Sequence, residues 1–347
     1  TIGPVGVNYG ISDSHRLTQD NAPIWDWEPD VPATAKSQQQ GFKPTVRVAA
    51  RRFFLNNNVW VNHPDLLLFR SNTNNDTWPR ITLNEAQAFA SFVGLSGGLV
   101  KIGDRLPDMD ADAINSVRKL LPAYPRAAVP VDLFYREFPE VWNLDVSYTL
   151  NGYDEQWNVV GLFNWGLNWD LSTSPYKEIP DSDEDRVYTI DPVIMLGRPE
   201  GNEYLAYEFW TEQYLGRFSD KLDVSVPAHS ARIVALRAPT GQPQFIGWNR
   251  QISMGGTLLT KADFLADENK MDVLADVAAP TEKAPFTYRM YFYIPEGYEF
   301  DSIEFVGGVQ PLSQNAHMKS DEILAVEFVP GETGFSRFWL KFKDGEK

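Results

Sequence analysis

Arg16 and Asp20 stand four residues apart in a polar run, Arg16-Leu17-Thr18-Gln19-Asp20-Asn21, with Trp25 and Trp27 close behind. A guanidinium and a carboxylate at that spacing can form a charge-assisted pair on a loop. In a barrel, the residues just past a strand's C-terminal end line the active site. The same pattern fits an ordinary surface loop carrying one Arg–Asp pair, and the residues alone leave both readings open. Tryptophan is equally double-edged: its flat face suits the C–H surface of a sugar ring, and its bulk fills cores. With 11 tryptophans in the chain, no single one decides between the two uses.

Other chemistries find little material. Without cysteine there is no disulfide, thiolate nucleophile or thiolate-bound metal. His15, His63, His229 and His317 show no HExxH or similar ligand spacing, so no metal site is expected. The acidic run Asp181-Ser182-Asp183-Glu184-Asp185 offers oxygens to calcium but lacks the EF-hand glycine and closing glutamate, and reads as a solvated loop. No GxGxxG or P-loop pattern follows a strand, so no nucleotide cofactor is expected. A formal net charge of −16 repels a phosphate backbone, which removes nucleic acid from the expected partners. No stretch of about eighteen apolar residues occurs, so no membrane partner is expected either.

The elements that must position the polar run fall into three stretches of different period. Residues 1–135 alternate apolar strands with helices: a strand-like run Ile2 to Val7, a helix near Thr45 to Leu55, extended pieces at Val59 to Val61 and Leu66 to Phe69, and a strand Leu99 to Ile102. Thr82 and Glu85 form a capping box for a helix with Leu83, Ala86, Phe89, Ala90 and Val93 on one side, stopped by Gly97 and Gly98. Asp110 caps another helix that carries Ile114, Val117, Leu120 and Leu121 and ends at Pro122. That order predicts a (β/α) barrel or a doubly wound sheet. Residues 136–237 take a period of two, as in Leu144, Val146, Tyr148 and Leu150, and predict an antiparallel β-sandwich. Arg237 to Pro243 reads as a linker, and residues 238–347 form a second all-β set with strands near Phe286 to Ile294, Ile303 to Val306, Ile323 to Phe328 and Phe338 to Phe342.

Taken together and in order, these residues resemble the melibiase clan of glycoside hydrolases, the α-galactosidases and α-N-acetylgalactosaminidases. Gly3-Pro4, Gly10, Arg16-x-x-x-Asp20 and Trp25 are similar to the clan's acid/base loop. Trp60-Val61-Asn62-His63-Pro64-Asp65 resembles its W-x-N-D-P-D segment, with His63 where the clan has its first Asp. Leu83-Asn84-Glu85-Ala86 and Leu95-Ser96-Gly97-Gly98 resemble L-T-x-E-A and L-S-G-G, and Lys101-Ile102-Gly103-Asp104 stands where a strand usually ends in S-D-D. Further on, Val160 to Trp165 resembles a V-x-L-F-N-W strand and Val226 to Ser230 a V-P-x-H-S entry.

The resemblance implies the C-terminal part of a (β/α)8 catalytic barrel followed by two antiparallel β-sandwich domains, an α/β plus all-β chain. It implies a retaining hydrolase that releases terminal α-linked galactose or a related sugar, with a carbohydrate as substrate. Asp20 is then the general acid/base, and Arg16 binds the substrate or the nucleophile's carboxylate. Trp25 either walls the sugar subsite or packs, Asp65 and Asp104 support the site, and His229 is structural. The clan's nucleophilic Asp lies on an earlier strand, so about three of a barrel's eight strands are expected within this chain. The remaining N-terminal portion, or a second chain supplying it, is an expected partner. The competing expectations are a non-catalytic carbohydrate-binding or structural module that kept the fold, and a glycosidase of the same clan acting on another α-linked sugar. Compartment is left open.

Overall fold

Short parallel strands alternate with helices through the first third of the chain. The computed structural model describes residues 5–18, 20–25, 39–69, 81–150, 153–166, 168–170, 177–179 and 184–345. Ile2, Gly3-Pro4, Gln19, Trp27 and Asp181 to Asp183 lie outside the described residues. Strand β1 (Ser14–Arg16) pairs in parallel with β4 (Val61–His63), β2 (Asp20–Asn21) with β3 (Gln39–Gln40), and β5 (Leu66–Leu67) with β6 (Lys101–Ile102). Among the described residues these pairs do not join into a closed barrel.

Helix α1 (Phe42–Ala50) starts earlier than the expected Thr45 and stops before Leu55. Its Pro44 falls in the first turn, where a missing N–H leaves no bond unmade, so a proline that reads as a breaker is tolerated. Phe53–Leu55 follows as a separate 3-10 turn, and Val5–Asn8 is another where a strand was expected.

Helix α2 (Leu83–Leu95) begins where its sequence signal places it. Thr82 Oγ1 accepts from the Glu85 amide at 3.2 Å, and the Glu85 carboxylate accepts from the Thr82 amide at 2.7 Å. Gly97 ends it at φ +64, and a Cβ on Gly98 would meet the Asn62 carbonyl oxygen at 2.1 Å, so neither position admits a side chain. Helix α3 (Ala111–Arg118) is capped by Asp110, which accepts from the Ala113 amide at 2.8 Å.

The next unit is built on an antiparallel sheet of order β14-β13-β16-β9-β8-β7, from β7 (Val129–Pro130), β8 (Val141–Leu150), β9 (Tyr153–Asn164), β13 (Tyr204–Glu208), β14 (Gln213–Phe218) and β16 (Ser230–Arg237). A ribbon of β12 (Arg186–Ile190) and β15 (Leu222–Val226) covers one face through Val160, Leu162, Ile190, Val224 and Val234. Strands β10 (Asn168–Asp170) and β11 (Lys177–Ile179) form a separate antiparallel pair. Helix α2 packs against β16 and β9. This explains why α2 is buried on nearly all sides, from Ala86 and Phe89 through Phe92 to Leu95.

The last unit has two antiparallel sheets. One is β17 (Gln244–Trp248), β20 (Tyr288–Tyr293), β23 (Ile323–Pro330) and β22 (Pro311–Ser320); the other is β18 (Leu259–Leu265), β19 (Lys270–Val277), β24 (Gly334–Asp344) and β21 (Tyr298–Gly308). The sheets face each other, because the Phe328 ring on β23 meets Phe305 on β21 at 5.5 Å and Phe338 on β24 at 6.0 Å.

The stretch expected to be a linker is instead a tight connection. Arg237 is the last residue of β16 and fully buried, its guanidinium 3.8 Å from the Trp157 ring centroid and hydrogen-bonded to the Met254 carbonyl at 2.7 Å. A Cβ on Gly247 would meet the Tyr207 ring at 2.2 Å, so β17 lies directly on β13. Arg250 donates to the Leu121 carbonyl at 2.9 Å and Gln251 to the Pro122 carbonyl at 3.1 Å, which fastens the last unit to the end of α3 as well.

Candidate active site

The polar loop is built on the end of β1. The Leu17 amide donates to the His63 carbonyl at 3.0 Å, continuing the β1–β4 register by one residue, after which the chain turns away. Arg16 Nε then donates to the Thr18 carbonyl at 3.0 Å, and Arg16 Nη2 pairs with Asp20 Oδ1. The Asp20 side chain is 67% exposed against 22% for Arg16, so the carboxylate faces open space while its partner is rooted in the protein.

Asp65 lies beneath this pair. It is 3% exposed, accepts from the Asn21 amide at 2.7 Å, and places Oδ1 3.5 Å from Arg16 Nε. Its backbone takes φ +76, a left-handed conformation that Asp tolerates better than most residues. One buried carboxylate therefore fixes both the base of the guanidinium and the residue next to Asp20. His63, in the place of an acid, is buried, and its Nδ1 lies 3.3 Å from the Asp65 amide as acceptor. Burial lowers its pKa; Asp65 acts in the opposite direction, while Lys101 and Arg16 add to the lowering. A neutral ring there needs no counter-charge, whereas a second carboxylate would crowd Asp65.

Asp104 sits beyond the end of β6, where its carboxylate accepts from the Phe69 amide at 2.5 Å and so ties two strand exits together. Of the two roles open to Trp25, burial favours packing. The ring is 7% exposed, stacks with Trp165 at 5.6 Å and His229 at 5.0 Å, and donates from Nε1 to the Trp165 carbonyl at 3.3 Å. His229 Nδ1 in turn lies 3.1 Å from Glu85 Oε1. The loop is thus braced on the β unit and on the cap of α2.

Two supporting residues, Thr45 and Arg52, went unnoticed in the sequence, while Asn62 belongs to the Trp60–Asp65 motif. Thr45 on α1 donates to Asn21 Oδ1, Arg52 donates to the Leu17 carbonyl, and Asn62 Nδ2 donates to the Arg52 carbonyl at 3.0 Å. Thr45 and Arg52 carry no distinguishing local signal, since Lys43, Arg47 and Arg51 stand beside them. Among the described residues, no group of three or more His, Asp or Glu is placed to hold a metal ion.

No known family's sequence profile matches the chain, and no curated protein matches it. Among solved structures, α-galactosidase I from Mortierella vinacea is similar to it at a TM-score of 0.46 and 14% identity, over 65% of this chain and 53% of that one. An α-galactosidase from Saccharomyces cerevisiae gives 0.44 and 14%, over 66% and 60%. A β-L-arabinopyranosidase from Geobacillus stearothermophilus gives 0.45 and 14%, over 66% and 46%. The chain therefore spans roughly half the length of these glycosidases.

Proposed function

We propose that this chain carries the acid/base half of a retaining glycoside hydrolase acting on terminal α-linked galactose or a near relative. The observation that carries the reading is the exposed Asp20 carboxylate, paired with Arg16 just past the end of a parallel strand and seated over the buried Asp65. In a retaining mechanism two carboxyl groups stand about 5–5.5 Å apart across the scissile bond. Asp20, protonated, gives its proton to the glycosidic oxygen as the C–O bond breaks and the anomeric carbon bonds to the second carboxylate. The Asp20 carboxylate then takes a proton from the water that displaces the enzyme from that carbon, and the sugar leaves with its configuration retained. The resemblance assigns the second carboxylate to an earlier strand of the complete protein. Arg16 orients Asp20 and meets the substrate's hydroxyls or the nucleophile.

The test is Asp20→Asn in the complete protein, assayed on α-galactosides of graded leaving-group ability. Loss of the proton donor predicts a fall of about 10²–10⁴-fold on a disaccharide with a poor leaving group, and a much smaller loss of the first step on a nitrophenyl galactoside, which needs no proton. Unchanged turnover of the disaccharide contradicts the assignment. Sugar binding without turnover in the unaltered complete protein selects a binding module instead.

A further inference from the structure

A cavity of about 350 Å3 opens where α2 and α3 meet both antiparallel units, a size within the range of small-ligand sites. Gln87 on α2, Asp112, Ser116 and Lys119 on the α3 side, Trp210 after β13 and Arg289 on β20 contribute to its wall. Asp112, Ser116 and Lys119 follow at i, i+4 and i+7, which sets them along one helical stripe.

Hydrogen bonds hold part of the cavity's frame. Arg289 holds the Glu212 carboxylate through Nε at 2.5 Å and Nη2 at 2.7 Å, and Tyr291 Oη donates to the same group at 3.2 Å. Trp210 Nε1 donates to Ser91 Oγ at 2.8 Å, which fixes the plane of the indole. By contrast, the side chains of Gln87, Asp112, Ser116 and Lys119 make no hydrogen bond or ion pair among the described residues. Lys119 Nζ is held 5.0 Å from the ring centroids of both Phe209 and Trp210, and burial lowers its pKa against the pull of Glu212.

The hydrogen-bonding capacity left on Gln87, Asp112, Ser116 and Lys119 among the described residues sets the chemistry of the ligand. Donors and acceptors are both present, an aromatic ring stands among them, and the charges of Lys119 and Asp112 oppose each other while Arg289 is neutralised by Glu212. An apolar ligand would leave the polar groups unpaired. A phosphate would face Asp112 and the chain's net charge of −16. A sugar ring, with hydroxyls on its rim and C–H groups on its face, satisfies both kinds of wall. We propose that this junction cavity binds one residue of a neutral saccharide, separately from the loop of Asp20. The site goes beyond the reaction reading and does not depend on it.

The experiment uses the full chain with Asp20→Asn, labelled with 5-fluorotryptophan and titrated by ¹⁹F NMR with the methyl α-glycosides of galactose, glucose and mannose. The Trp210 resonance is identified by Trp210→Phe. At least one glycoside should shift that resonance saturably with a dissociation constant in the millimolar range, and Asp112→Ala or Gln87→Ala should weaken binding about tenfold. Both positions are at least partly exposed, and each variant's remaining ¹⁹F spectrum reports whether it is folded. No saturable shift up to about 100 mM, or binding indifferent to both substitutions, overturns the site. Loss of turnover on Asp20→Asn is measured separately, so either proposal can fail while the other stands.

Discussion

Asp65 and Asp20 are both carboxylates beside Arg16, yet burial gives them separable duties. Asp65 holds the Asn21 amide and the guanidinium from below, and it touches no open space. Asp65→Asn keeps the size and the tolerance for positive φ but removes the charge. It should lower stability by about 1–3 kcal/mol, since a charged acceptor is lost under a buried network. On the proposed function, kcat falls roughly tenfold while KM moves little, because Asp20 is no longer held in line. A change in stability with unaltered kcat would reduce Asp65 to scaffolding. Arg16, Asp20 and Asp65 were legible in the sequence because their motifs have fixed spacing. Thr45 and Arg52 were not, since nothing local distinguishes a polar residue that bonds a distant loop from one that meets water.

Among the elements, the capped helices and the alternating strands were the legible part. Thr82 with Glu85 and Asp110 with Ala113 complete the starts of α2 and α3 with short-range bonds that any reader of the sequence can count. Strand β22 was missed because nearly all of Pro311–Ser320 is exposed and carries no apolar alternation. In the middle of β19, Asp272 breaks a run of buried Met271, Val273 and Ala275, and it is 1% exposed. Burial disfavours its charge, but hydrogen bonds from Arg337 at 2.8 and 2.7 Å and from Lys261 at 2.7 Å outweigh that and hold the carboxyl down at about 2. A carboxyl depressed below its unfolded value near 3.9 stabilises the fold fully above that value and loses the contribution as pH falls towards 2. The loss amounts to roughly 2 kcal/mol. Denaturant titrations between pH 5 and pH 2 should show this acid-labile step in the native chain, and a shallower one in Asp272→Asn. Equal slopes in the two proteins would count against the ion pair.

For the whole molecule, the least legible feature was how the units join. A segment rich in Pro and Gly after Arg237 looked like a spacer, but the residues on either side of it are buried against each other. Trp157 donates to the Ser253 carbonyl at 3.0 Å across 96 positions, and Arg237 joins Glu155, Met254 and the Trp157 ring in one cluster. Such pairings have no local periodicity to betray them. Arg237→Met should cost about 3–5 kcal/mol, as expected when one partner of a buried ion pair is removed. In calorimetry it should lower the melting temperature and split the transition as the two β units uncouple. A melting temperature unchanged to within a degree would mean that the cluster does not hold them together.

In the proposed reaction the Asp20 carboxyl moves the proton in both halves of a retaining displacement. Azide tests this most directly, because a small anion needs no base to attack the glycosyl-enzyme. With Asp20→Asn in the complete protein and a nitrophenyl α-galactoside as substrate, added azide should restore turnover and yield the α-configured galactosyl azide, identified by NMR. Turnover insensitive to azide, with galactose as the only sugar product, would rule out that role for Asp20.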